Sequence, residues 1–146
     1  MGDRASINII HQTGPDQTLG LNLYLHNGGS TALFEALARA REALDSLDDP
    51  PYFTRYVVGG LIAPLSDTLL GGGLEPYAER SFDAALRFGW DSEHTIVTLD
   101  LPGRRVWLAP DDLPANTGTP FAFPLTANGL KAAAAKLDEL EEGARV

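Results

Sequence analysis

From Gly20 to His26 the chain alternates, with Leu21, Leu23 and Leu25 apolar and Asn22, Tyr24 and His26 polar between them. A period of two places the leucines on one face of a strand and the polar side chains on the other. Ser6-Ile7-Asn8-Ile9-Ile10 reads as a partner strand, and the turn-rich Thr13-Gly14-Pro15-Asp16-Gln17 closes a hairpin between them. From Thr31 the period lengthens. Leu33, Leu37, Ala40, Leu44 and Leu47 follow helical spacing as far as Asp48-Asp49. Pro50-Pro51 suits the entry of a second helix, in which Phe53, Val57, Leu61 and Pro64 share a stripe. Gly59-Gly60 and Pro64 are expected to bend that helix or end it early.

Leu69-Leu70-Gly71-Gly72-Gly73-Leu74 reads as a flexible break. Three strands are expected after it, over Phe82–Trp90, His94–Asp100 and Arg104–Leu108. Asp91-Ser92-Glu93 joins the first two. Leu101-Pro102-Gly103-Arg104 joins the last two, where a longer loop or a bulge is expected because a type II turn splays a two-residue hairpin. Residues 109–126 carry Pro110, Pro114, Pro120 and Pro124 and read as an irregular wrap pinned by Phe121-Ala122-Phe123. A C-terminal helix is expected over 127–143, with Leu130, Ala133, Leu137 and Leu140 on one stripe and Gly143 as its stop. The order β-β-α-α-β-β-β-α predicts an α+β two-layer sandwich: one domain over 1–146, with about five antiparallel strands and helices on one face.

A chain of 146 residues can bury roughly 68–70% of its unfolded surface in a single core. The absence of cysteine excludes disulfides, zinc–cysteinate sites, iron–sulfur clusters and a cysteine nucleophile. No window approaches the ~20 apolar residues of a membrane span and no apolar leader follows Met1, so a cytoplasmic protein without membrane contact is expected. The net charge is −9, with two lysines against nine arginines. Nucleic-acid binding calls for a basic face that this composition does not supply. Clusters such as Asp138, Glu139, Glu141 and Glu142 crowd the negative end of the last helix, which should fray unless something basic meets it.

The chemistry narrows by elimination. No Gly-Lys-Ser/Thr phosphate loop, Gly-x-Ser-x-Gly elbow or His-Glu-x-x-His helix occurs, and no metal or cofactor is implied. Two features remain. The first is the loop Asn27-Gly28-Gly29-Ser30, whose amides at a helix start could hold an anion. The second is the polar strand face, where Asn8, Asn22, Tyr24 and His26 project together and Arg87, Thr98 and Asp100 could extend the row. The leading expectation is a non-catalytic binding protein, with Tyr24, His26, Asn27, Gly28, Gly29, Ser30 and Arg87 holding a small anionic ligand such as a nucleotide, or a host protein. A homo-oligomer is expected, the last helix offering a seam. One alternative is a hydrolase of a small phosphorylated or acyl substrate, with His26 as base and Asp100 or Glu93 orienting it. It gains if His26 and His94 approach one another. The other alternative is a purely structural module that buries Tyr24 and His26 at a symmetric interface.

Gly2-Asp3-Arg4-Ala5, Leu23-Tyr24-Leu25-His26-Asn27-Gly28-Gly29, Asp48-Asp49-Pro50-Pro51-Tyr52, Asp91-Ser92-Glu93-His94-Thr95-Ile96 and Val106-Trp107-Leu108 together resemble a family of small uncharacterised proteins from bacteriophages and actinobacterial genomes. The resemblance runs from about Gly2 to Leu108. It implies a phage or mobile-element setting, and no particular activity.

Overall fold

A computed structural model describes residues 4–26, 29–62, 72–89, 94–110 and 119–144. The hairpin forms as the alternation predicts: β1 (Ala5–Thr13) pairs antiparallel with β2 (Thr18–Leu25), Ala5 opposite Leu25 and Ile9 opposite Leu21. The register shifts between Ile10 and Gln12, which leaves His11 at a bulge. After β2 come α1 (Gly29–Glu42), a 3-10 turn (Leu44–Ser46) and α2 (Pro50–Ile62). The start of α2 follows from Asp49-Pro50-Pro51. Asp49 caps it by accepting from the Tyr52 amide at 3.4 Å, and the prolines occupy positions where no donor is needed. Gly59-Gly60 does not end α2, which runs through both to Ile62; Pro64 lies outside the described residues.

The strand expected over Phe82–Trp90 is not one. Phe82–Leu86 forms a short helix, α3, capped by Ser81, whose side chain accepts from the Ala84 amide; Trp90 lies outside the described residues. The missing strand comes earlier, because β3 (Gly72–Glu79) runs antiparallel beside β2 from within the stretch read as a flexible break. Only its first residues are glycines, and full pairing with β2 offsets their entropic cost. The expected wrap is also part sheet: Phe121–Pro124 pairs with β5 (Arg105–Ala109) as β6. With β4 (Ile96–Asp100) between β1 and β5, the sheet has six strands in the order β3-β2-β1-β4-β5-β6. It is mixed, since β1 and β4 are parallel. A parallel pair needs a long crossover, and here everything from β2 to α3 lies between them. The β4–β5 link is the four-residue turn Leu101–Arg104, with Arg104 at φ 55°.

α1, α2 and α4 (Ala127–Ala144) cover one face. There Ile7, Ile9, Leu23, Leu25, Val97, Leu99, Val106 and Leu108 meet Leu33, Leu37, Phe53, Val57, Leu130 and Leu137 in one core. Phe53 and Val57 alone contribute about 1.5–3 kcal/mol each by leaving water. The apolar stripe of α4 is spent on this core: Leu130, Ala133 and Leu137 are buried in it, and Leu140 packs against it. Its acidic end is anchored, because Glu141 is buried and accepts from the Thr95 amide and hydroxyl and from His94 Nδ1 at 2.6 Å.

The helices are not confined to one face. α3 lies across the other, where Ile10, Tyr77, Ala85 and Leu86 form a second small core with Phe82, Phe88 and Trp107. Tyr77 stacks on Phe88 with ring centroids 4.3 Å apart. The polar row expected to be open is therefore largely covered. Asn8, Asn22, Thr98 and Asp100 are all buried.

Candidate functional site

The burial of the polar row gives it a structural role. Asn8 Nδ2 donates to the Phe88 carbonyl at 2.7 Å and to the Ala85 carbonyl at 3.4 Å, satisfying acceptors at the end of α3. Asn22 Nδ2 donates to Asn8 Oδ1 at 2.8 Å and to Ser6 Oγ at 2.7 Å. These amides fasten α3 to the sheet. Asp100 is likewise engaged, accepting from the Gly103 amide at 3.0 Å and from Trp107 Nε1 at 3.4 Å.

Of the residues expected to hold a ligand, Tyr24 and His26 come together. The Tyr24 hydroxyl lies 3.1 Å from His26 Nδ1. Gly29 opens α1 at φ 57°, a left-handed conformation suited to glycine, and Ser30 lies in the first turn. Asn27 and Gly28 lie outside the described residues. Arg87 ends α3 and pairs with Asp83 at 3.0 Å. A cavity of about 320 Å³ opens beside Tyr24, lined by Asn22, Tyr24, Gly73, Leu74 and Glu75. Its charged wall is a carboxylate, and Arg87 does not line it. This corner suits a hydrogen-bonding or cationic group better than an anion.

Among the described residues the hydrolase geometry does not assemble around His26. Leu25 and the start of β4 lie at the same end of the sheet, on strands that flank β1. The backbones of His26 and His94 are therefore about two strand spacings apart, roughly 10 Å. Each ring has a different partner, Tyr24 for His26 and Glu141 for His94. Asp100 closes the opposite end of β4, at least ~13 Å further along the strand, and cannot orient His26. Glu93 lies outside the described residues. Among the described residues no group of three or more His, Asp or Glu side chains could hold a metal ion, and no helix is long and apolar enough to cross a membrane.

A second cavity, this one with arginines in its lining, lies on the outer side of the helical layer. This cavity, of about 380 Å³ between α1 and α2, is lined by Arg39, Tyr52, Arg55, Tyr56 and Gly59. Its α2 residues recur at i, i+3, i+4 and i+7, the face opposite the buried stripe Phe53, Val57 and Leu61. Arg39 comes from α1, beside the buried Ala36 and Ala40. Its guanidinium carbon sits 4.0 Å from the centroid of the Tyr56 ring, and Nη2 donates to the Tyr56 carbonyl at 2.7 Å. Gly60 makes this possible, because a Cβ there would overlap the guanidinium. Arg39 Nε is buried without a hydrogen-bond partner, and neither Arg39 nor Arg55 has a carboxylate partner among the described residues. By contrast Arg87 is paired with Asp83 and Arg104 with Asp48 at 2.7 Å.

Sequence reasoning followed the buried stripe of α2 and passed over its outer one. Tyr52-x-x-Arg55-Tyr56-x-x-Gly59 is legible as a helical face once α2 is granted, but Arg39 is not. Its arrival depends on how α1 crosses α2 and on the missing side chain at Gly60. Comparison with known proteins adds no relative: no family model, curated protein or solved structure matches this chain.

Proposed function

We propose that this protein acts by binding, without catalysis, a small ligand that carries an oxyanion, and that the α1–α2 cavity is where it binds. The supporting observation is the convergence on one cavity, in a chain of net charge −9, of two arginines, Arg39 and Arg55, that have no carboxylate partner among the described residues. Among the described residues Arg87 and Arg104 are instead neutralised by Asp83 and Asp48. Arg39 is already held by the Tyr56 carbonyl and ring, so little side-chain entropy is lost when it meets a ligand. Planar guanidinia suit carboxylate or phosphate through paired N–H donors. The volume, about 380 Å³, falls in the range of small-molecule sites.

The test is calorimetric titration with pyrophosphate at low ionic strength. The wild type should bind saturably with one site per chain. A hydrogen bond to a charged group contributes about 1.5–3 kcal/mol, so Arg55→Gln should weaken binding by roughly tenfold or more. Since Arg55 is exposed, this variant should fold normally. If pyrophosphate gives no saturable binding, or Arg55→Gln binds it as the wild type does, the reading fails.

A further inference from the structure

We infer that the ligand of the α1–α2 cavity is a phosphate joined to a flat ring, of the nucleoside monophosphate kind, with the ring stacked on Tyr52 and the phosphate between Arg39 and Arg55. This rests on the anion-binding reading and extends it to the part of the ligand that the arginines do not explain.

The two tyrosines of the cavity are not equivalent. One face of the Tyr56 ring is occupied by the Arg39 guanidinium at 4.0 Å. Tyr52, one helical turn earlier, is 51% exposed, one of only two large hydrophobic side chains among the described residues to be so open. Its ring is left as a platform at the cavity mouth, and aromatic side chains accept nucleobases by stacking with little dependence on which base is present. At the other end, Gly59 has nothing within 4 Å of where a Cβ would stand, so the cavity is unobstructed along α2. Tyr52 and Gly59 are seven residues apart, which spans about 10 Å of helix. A bare tetrahedral oxyanion would meet the guanidinia and leave both the length of the cavity and the open ring unused. A phosphate with an attached ring uses both.

Four titrations separate the possibilities: adenosine monophosphate, phenyl phosphate, inorganic phosphate and adenosine, each against the wild type and Tyr52→Ala. The inference expects adenosine monophosphate and phenyl phosphate to bind at least tenfold more tightly than inorganic phosphate. It expects Tyr52→Ala to remove that advantage while leaving the affinity for inorganic phosphate unchanged. Adenosine alone should bind weakest of the four. If inorganic phosphate binds as tightly as adenosine monophosphate, or Tyr52→Ala changes nothing, the ring inference is wrong and the anion reading stands. If none of the phosphates binds, both fall.

Discussion

The Arg39 guanidinium lies on the Tyr56 ring, 4.0 Å from its centroid, and is fastened to the same residue's carbonyl by a 2.7 Å hydrogen bond. A cation held in this way is stabilised by the ring quadrupole and is positioned before any ligand arrives. The arrangement also accounts for Gly60, at a helical position where glycine costs about 1 kcal/mol against alanine.

Gly60→Ala therefore separates stability from binding. The added Cβ displaces the guanidinium, which is the flexible end of its side chain. Losing the cation–π contact costs about 0.5–2 kcal/mol and the better helix former returns about 1 kcal/mol. The melting temperature should move by only a few degrees. Anion affinity should fall at least tenfold. A variant that binds normally would show that the placement of Arg39 is irrelevant.

Thr98 is fully buried and its hydroxyl has no partner among the described residues. An unpaired buried hydroxyl costs roughly 1–3 kcal/mol on the scale of protein mutations. Thr98→Val keeps the shape and removes the polar group, so denaturant unfolding should show a gain of about 1 kcal/mol. A loss of stability would mean that the hydroxyl is bonded after all.

Asn22 is the hub of the amide network under α3, bonded to both Asn8 and Ser6. Asn22→Ala leaves Asn8 Oδ1 without its donor in a buried setting, and removing one partner of a buried pair costs about 1–3 kcal/mol. The same substitution at exposed Glu35 should change stability by less than ~0.5 kcal/mol. Equal effects at both sites would contradict a structural role for the network.

His11, at the bulge in β1, sits 2.7 Å from Thr54 Oγ1 of α2, and burial lowers its pKa below the usual value of about 6.5. The fold thus favours the neutral ring. Between the lowered value and about 6.5 the unfolded chain binds more protons than the folded one, so stability falls as pH drops. This contribution is complete above pH ~6.5 and is lost in acid. Wild type and His11→Gln, compared by urea unfolding from pH 7.5 to 5, should converge as pH falls. Parallel curves would show that His11 does not supply the slope.

The elements with one clear period were legible in the sequence. β2 announces itself by Leu21, Leu23 and Leu25, and α4 by Leu130, Ala133 and Leu137. The errors lie where local pattern and tertiary contact disagree. Phe82 to Phe88 looks strand-like because its aromatics are spaced for burial, yet they pack from a short helix that Ser81 caps. Gly72-Gly73 looks flexible, but β2 supplies the pairing that makes it strand. The polar row was identified correctly as one face, although only α3, unseen in the sequence, decides that it is buried. Tyr24 and His26, expected on one face, lie within 3.1 Å of each other, while Arg87, expected beside them, pairs with Asp83. The basic cavity was hidden because half of it, Arg39, comes from a second helix.

The arginine Nε–H resonances, followed by nuclear magnetic resonance during a titration with adenosine monophosphate at low salt, test the central claim most directly. Nine arginines are present, and Arg39 Nε is buried while Arg55 is exposed, so the two report from different surroundings. The account predicts that the Arg39 and Arg55 signals shift together and saturate, while those of Arg87 and Arg104, held by Asp83 and Asp48, stay in place. Shifts that are absent, or spread over all arginines and still growing with ionic strength, would contradict it.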